Sequence, residues 1–169
     1  MASNSYGDIF RITTWGESHG KVVGVVIDGC PSGLKIDHDH VKRQLMYRRP
    51  GQNKFVTPRA EQDVYEILSG IYDGVTTGTP ISVMFMNKDV RSKDYSQFEN
   101  TFKPGHADYT YYKKYGVFDH RGSGRASARE TVCRVFSGAL AAQLLADLDI
   151  KIKVGIRQIG DIRATYNMN

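Results

Sequence analysis

The apolar positions of this chain fall into a few distinct rhythms. Val132, Val135, Phe136, Ala139, Leu140 and Leu144 recur at three- and four-residue steps. That spacing predicts a helix with one apolar face, running to about Leu148. Residues 6–14 set Ile9, Arg11 and Thr13 against Phe10, Ile12 and Thr14, the period-two pattern of a strand. Residues 21–29 hold a valine run and predict a second, buried strand. Residues 81–87, ISVMFMN, predict a third, nearly continuous in apolar character, with Met84 and Met86 as core filler. Residues 150–160 return to strand patterning. Two shorter helices are expected. One carries Val41, Gln44 and Leu45 behind Asp37 or Asp39 as cap, with His38 and His40 near it on the surface. The other spans 61–69 and turns Val64, Ile67 and Leu68 inward. Turn residues at 30–33 and 70–80 and a polar stretch at 87–100 connect these elements.

Strands and helices are interspersed with no linker and no internal repeat, so the pattern predicts a single mixed α and β domain over 1–169. The composition agrees. With 40% hydrophobic and 24% charged residues, the chain can bury a core and is not disordered by composition. No apolar run reaches membrane-spanning length, and the N-terminus lacks the basic-then-apolar order of a secretory signal. Cys30 and Cys133 fit no metal spacing and are expected as reduced thiols of a cytoplasmic protein.

A net charge of +5 changes the picture by asking for an acidic partner. Two basic stretches qualify. Between 42 and 59 the chain carries Lys42, Arg43, Arg48, Arg49, Lys54 and Arg59 with no acid among them. Residues 119–131, DHRGSGRASARET, combine Gly122 and Gly124, which free the backbone to turn, with Arg121, Arg125 and Arg129. Ser127 and Glu130 have capping-box spacing at the predicted helix start. Arginine forks and free N–H groups at a helix start both favour phosphate or carboxylate. The alternatives are solvated basic loops, a plainly capped helix, or a polyanion or nucleic-acid-binding module built from 42–59 and 121–134. Only Tyr47 and Phe55 are placed to stack on bases in the first stretch, which weakens the nucleic-acid case.

Two histidines stand after tight turns. GESHG at 16–20 projects Ser18 and His19; because His19 follows the serine directly, this is not a hydrolase nucleophile elbow. PGHAD at 104–108 projects His106, with Asp108 or Thr110 near enough to orient the ring. Tyr109, Tyr111, Tyr112 and Tyr115 follow, either as packing residues or as the border of a flat conjugated ligand. His120 is ambiguous. The chain presents no metal cluster and no activated nucleophile. Imidazoles plus arginines suit a multiply anionic small molecule whose protons must be placed.

Five motifs in order, GESHG (16–20), RRPG (48–51), DGVTTGTPI (73–81), KPGHADYTY (103–111) and RGSGRASARET (121–131), resemble chorismate synthase. The family runs to roughly twice this length, so the resemblance implies an N-terminal half of one domain, with a carboxylate base and further flavin loops lying in the other half. It implies an α+β fold of helices sandwiched between antiparallel sheets, assembled as a cytoplasmic homotetramer. It implies a lyase: anti 1,4-elimination of phosphate from 5-enolpyruvylshikimate 3-phosphate to chorismate, requiring reduced FMN without net redox change, with NADPH as reductant in some members. By the same resemblance His19 protonates the departing phosphate and His106 controls flavin protonation. Ser18, Arg48, Arg49, Lys54 and Arg129 bind anionic groups. Arg125, Ala126 and Ser127 contact the flavin. The family more often has arginine at position 54, and lysine there keeps the charge without the fork.

Overall fold

In the computed structural model, residues 4–49, 63–88, 99 and 101–165 are described. The strand predictions at 6–14 and 21–29 resolve into a short β1 (Ser5–Tyr6), β2 (Arg11–Gly16) and β3 (Val22–Asp28). These are followed by α1 (His38–Arg48), β4 (Tyr65–Ile67), β5 (Ile71–Tyr72), β6 (Val75–Thr76), β7 (Ile81–Met86) and α2 (Asp108–Tyr115). Two 3₁₀ segments, Arg121–Ala126 and Ala128–Glu130, lead into α3 (Thr131–Ala146), and β8 (Gln158–Ile159) and β9 (Ile162–Arg163) form a small hairpin. The main sheet has the order β1-β2-β3-β7-β4, and every pairing in it is antiparallel.

Alternation decides which face is covered. Ile12 and Thr14 of β2, Val23, Val25 and Ile27 of β3, and Ile81, Val83 and Phe85 of β7 are buried on one side. Val41 and Leu45 of α1 and Val132, Phe136, Ala139 and Leu140 of α3 close over them. Tyr65, Phe85 and Phe136 interlock, with Tyr65 edge-on to Phe136 at 4.9 Å between ring centres. The result is an α+β domain with two helices on one face of an antiparallel sheet. The predicted apolar face of α3 is the one that is buried. Asp37 caps α1, its carboxylate accepting from the His40 N–H at 2.8 Å.

Four expectations are corrected. Residues 65–67 form strand β4 rather than part of a helix over 61–69. Tyr65 and Ile67 face inward opposite Phe85 and Val83, while Val64 and Leu68 are exposed. Val64, Ile67 and Leu68 have helical spacing, but the open edge of β7 offers a ladder that a three-residue stretch of either propensity will accept. Met84 and Met86 lie on the opposite side of β7 from the core, half-buried and exposed; a period-two element cannot bury consecutive residues on one face. Residues 150–157 are extended and exposed without strand pairing; only the hairpin that follows is hydrogen-bonded. Residues 70–80, expected as a plain connection, contain the β5–β6 hairpin, turned by Asp73 and Gly74, both at positive φ. Residues 89–98 and 100 of the expected loop at 87–100, and residues 50–59 of the basic stretch, Lys54 included, lie outside the described residues.

The two cysteines are unpaired and buried. Burial on α3 pushes the Cys133 thiol up from 9.0 to about 12, with the nearby Glu130 charge adding to the effect. Its neutral form is thus favoured in the folded state. This contribution to stability is complete below about pH 9 and is lost as pH rises toward about 12, because the unfolded chain ionises first. Chemical denaturation across that range should show falling stability, and a Cys133→Ser variant should show a flatter decline. A decline equally steep in both would remove Cys133 as its source.

Candidate active site

The site is built around Arg121–Ala126. Gly122, Ser123 and Gly124 all have positive φ (58°, 60° and 50°), so the segment coils left-handed for three residues. Two glycines make that affordable; Ser123 adopts it under strain. Each of the two histidines docks on this run by way of a serine. On the β2–β3 turn, the Ser18 N–H donates to the Gly124 carbonyl at 3.2 Å, and the Ser18 hydroxyl donates to the Gly122 carbonyl at 3.3 Å. The His19 Nδ1 lies 2.9 Å from the same hydroxyl oxygen. With the O–H directed at Gly122, that oxygen accepts from Nδ1–H, which leaves proton exchange to Nε2. From the other side, His106 follows the Pro104–Gly105 turn and its Nδ1 lies 2.8 Å from the Ser123 Oγ. His19 is buried and His106 is exposed. The two imidazoles therefore hang from adjacent residues of one loop.

Beside this loop lies a cavity of about 700 Å³. Tyr111, Tyr115 and Phe118 form one wall; Arg121, Ser123 and Arg125 stand on another. The tyrosines of α2 thus divide by helix face. Tyr109 and Tyr112 pack with Phe102, at 5.4 Å each, while Tyr111 and Tyr115 face the cavity. His120 also lines it. Asp108 and Thr110, expected as partners for His106, instead hold backbone: Asp108 accepts from the Lys103 N–H and Thr110 donates to the Ala107 carbonyl.

A chorismate synthase family model matches residues 10–169. The chain belongs to the chorismate synthase family. It is 53% identical over 169 residues to a chorismate synthase of Protochlamydia amoebophila, covering 100% of this chain and 46% of that protein. It is 54% identical over 164 residues to one of Methanosarcina mazei, covering 97% and 45%. A solved crystal structure of chorismate synthase superposes with a TM-score of 0.62 at 31% identity, covering 84% of this chain and 35% of the other. The chain spans about half the length of the curated relatives it matches.

Arg48, Arg121, Arg125 and Arg129 each face a carboxylate of this chain. Arg129 donates from Nη1 to Asp63 Oδ1, and Arg48 donates to the other oxygen of the same carboxylate at 2.9 Å. Asp63 is buried, and two cations on one carboxylate leave a net positive charge there. Arg125 donates to the Gly16 carbonyl at 2.8 Å and to the Thr14 hydroxyl at 2.6 Å, with Glu130 3.5 Å away. Arg121 forms a fork on Asp119, both bonds at 2.9 Å. Partial burial of Asp119 acts to raise its pKa, but the hydrogen bonds from Arg121 and its charge outweigh that and hold the carboxyl below its ordinary range. Arg49 is half-buried at the end of α1. Ala126 and Ser127 are half-buried just past the left-handed run.

The capping box is only half made. Ser127 accepts from the Arg129 N–H at 3.4 Å, but it caps the 3₁₀ turn Ala128–Glu130, and α3 starts at Thr131. Glu130 does not reach back. It accepts from Thr14 at 2.7 Å and from Arg134, tying β2 to α3. Among the described residues no group of three or more His, Cys, Asp or Glu is placed to hold a metal ion, and no helix is long and apolar enough to cross a membrane. Four residues with structural duties here, Asp63, Asn87, Ser123 and Thr14, carry no signal in the sequence on its own.

Proposed function

We propose that this chain is the histidine-bearing half of a chorismate synthase, which eliminates phosphate from 5-enolpyruvylshikimate 3-phosphate with reduced FMN present. The observation that carries the reading is the docking of His19 and His106 on neighbouring residues of one loop beside an aromatic-walled cavity. Tyr111 and Tyr115, which line the cavity, would hold a flat ring, and Arg125 and Ser123 on the same lining would supply polar contacts to it. Reduced flavin, if held there, would supply the electron density that helps phosphate depart. The rest is done by this chain. His19, held by Ser18, gives a proton to the departing phosphate. His106, steadied by Ser123, sets the protonation of the neighbouring cofactor. Arg125 lines the cofactor side, and Ala126 and Ser127 follow it in the chain. Arg48, Arg49, Lys54 and Arg129 receive the anionic groups of the substrate, with Arg48 and Arg129 pre-aimed by Asp63. The reading extends to a cytoplasmic homotetramer, with NADPH as a candidate reductant. A polyanion-binding module is disfavoured, because a chorismate synthase family model matches residues 10–169.

The test uses the protein at the full length of its relatives, with photoreduced FMN and substrate under anaerobic conditions. Chorismate should form and phosphate should be released, and residues 1–169 alone should not turn over. His106→Ala should slow turnover by at least about 100-fold while the fold survives. Absence of turnover in the full-length wild type, or near-normal turnover in the variant, contradicts the reading.

A further inference from the structure

We infer that Asn87 is a positioning residue that ties the His19 turn to the buried arginine pair. The inference rests on the lyase reading above. Asn87 directly follows β7, and its backbone N–H donates to the Lys21 carbonyl at 3.1 Å, prolonging the ladder with β3. Its side chain then does two things at once. Nδ2 donates to the Glu17 carbonyl at 3.0 Å and the Gly20 carbonyl at 2.9 Å, the two residues that bracket Ser18 and His19. Oδ1 accepts from Arg129 Nε at 3.0 Å. Only this orientation of the amide satisfies all three bonds. Turned over, its oxygen would face two carbonyls and its NH₂ would face a guanidinium donor.

Asn87 thereby joins two groups that the reaction needs in register. On one side is the turn 16–20, which carries the proton donor. On the other is Arg129, whose Nη1 donates to Asp63 and whose Nη2 donates to the Met86 carbonyl, with Arg48 on the far oxygen of Asp63. A substrate phosphate gripped by arginine must present its leaving oxygen to His19. A small error in that distance costs rate far more than affinity. No other natural side chain offers two donors and one acceptor at this reach. Aspartate keeps the Arg129 contact and loses both turn contacts. Leucine loses all three.

The experiment compares Asn87→Asp and Asp63→Asn in the full-length enzyme, reading kcat, KM and hydrogen exchange of the peptide covering residues 16–21. In Asn87→Asp, kcat should fall about 100-fold with KM within about threefold. Exchange at 16–21 should quicken about tenfold while α3 keeps its protection. In Asp63→Asn the weight should shift to KM, since the arginines lose their shared anion while the turn keeps its amide. Wild-type kcat and exchange in Asn87→Asp overturn the inference. So does a loss of protection spread evenly through α3, which would mean a fold defect. Should the wild type show no lyase turnover, the functional reading fails, and the exchange data alone then decide whether Asn87 holds the turn.

Discussion

Gly122→Ala should lower turnover of the full-length enzyme by about 100-fold while leaving the protein folded. Two costs coincide at this position. The backbone sits at φ +58°, where a non-glycine residue loses roughly 1–2 kcal/mol. The added Cβ would also stand 2.3 Å from His19 Cε1, 2.4 Å from its Nδ1 and 2.8 Å from Ser18 Oγ. None of these can retreat cheaply, because His19 is only 4% exposed and is pinned by Ser18. The ring therefore turns away from the substrate side. Gly116→Ala separates the two costs: its φ is +79°, yet nothing lies within 4 Å of the new Cβ. It should lose comparable stability and keep its activity. Steady-state turnover and Tm of the pair test this. Wild-type activity in Gly122→Ala would mean that the imidazole is not confined by this loop.

Glu130→Ala should destabilise the fold by about 3–5 kcal/mol, the usual cost of stripping one partner from a buried ion network. The Glu130 side chain is only 10% exposed and accepts from Thr14 on β2 and Arg134 on α3, with Arg125 3.5 Å away. Removing the carboxylate leaves the Arg125 guanidinium, itself 14% exposed, without its counter-charge. For a domain of this size that corresponds to a fall in Tm of roughly 6–20 °C. Arg134→Ala is the comparison. That side chain is 57% exposed, so its pair with Glu130 should be worth less than about 1 kcal/mol. Thermal and urea unfolding of both variants decide the matter, and equal small losses would reduce Glu130 to a surface residue in all but name.

The predicted role of Glu130 shows where reading the chain succeeds and where it stops. Local rules found α3, the Asp37 cap and the strands β2, β3 and β7, because each follows from a period or a capping residue within a few positions. They also placed Ser127 and Glu130 at a helix start. What Glu130 bonds to lies 116 residues away at Thr14, and no local rule reports that. Asp63 and Asn87 meet Arg129 across 66 and 42 residues. Residues 65–67 were misread for the same reason, since an edge strand is defined by the neighbour it pairs with. The histidines were legible as residues after tight turns, but their convergence was not. It depends on Ser123, a residue whose left-handed backbone is visible only in the fold.

The left-handed run has one more consequence. Consecutive Cα atoms are always about 3.8 Å apart. The two rings are moored at neighbouring links of the chain, through the Gly122 carbonyl and the Ser123 hydroxyl. Covalent geometry therefore sets the spacing of the two anchor points, and a hydrogen bond at each one ties the histidine to it. When the scaffold breathes with heat, both imidazoles ride on the same two links, so their spacing can survive loosening that would scatter residues carried on independent elements.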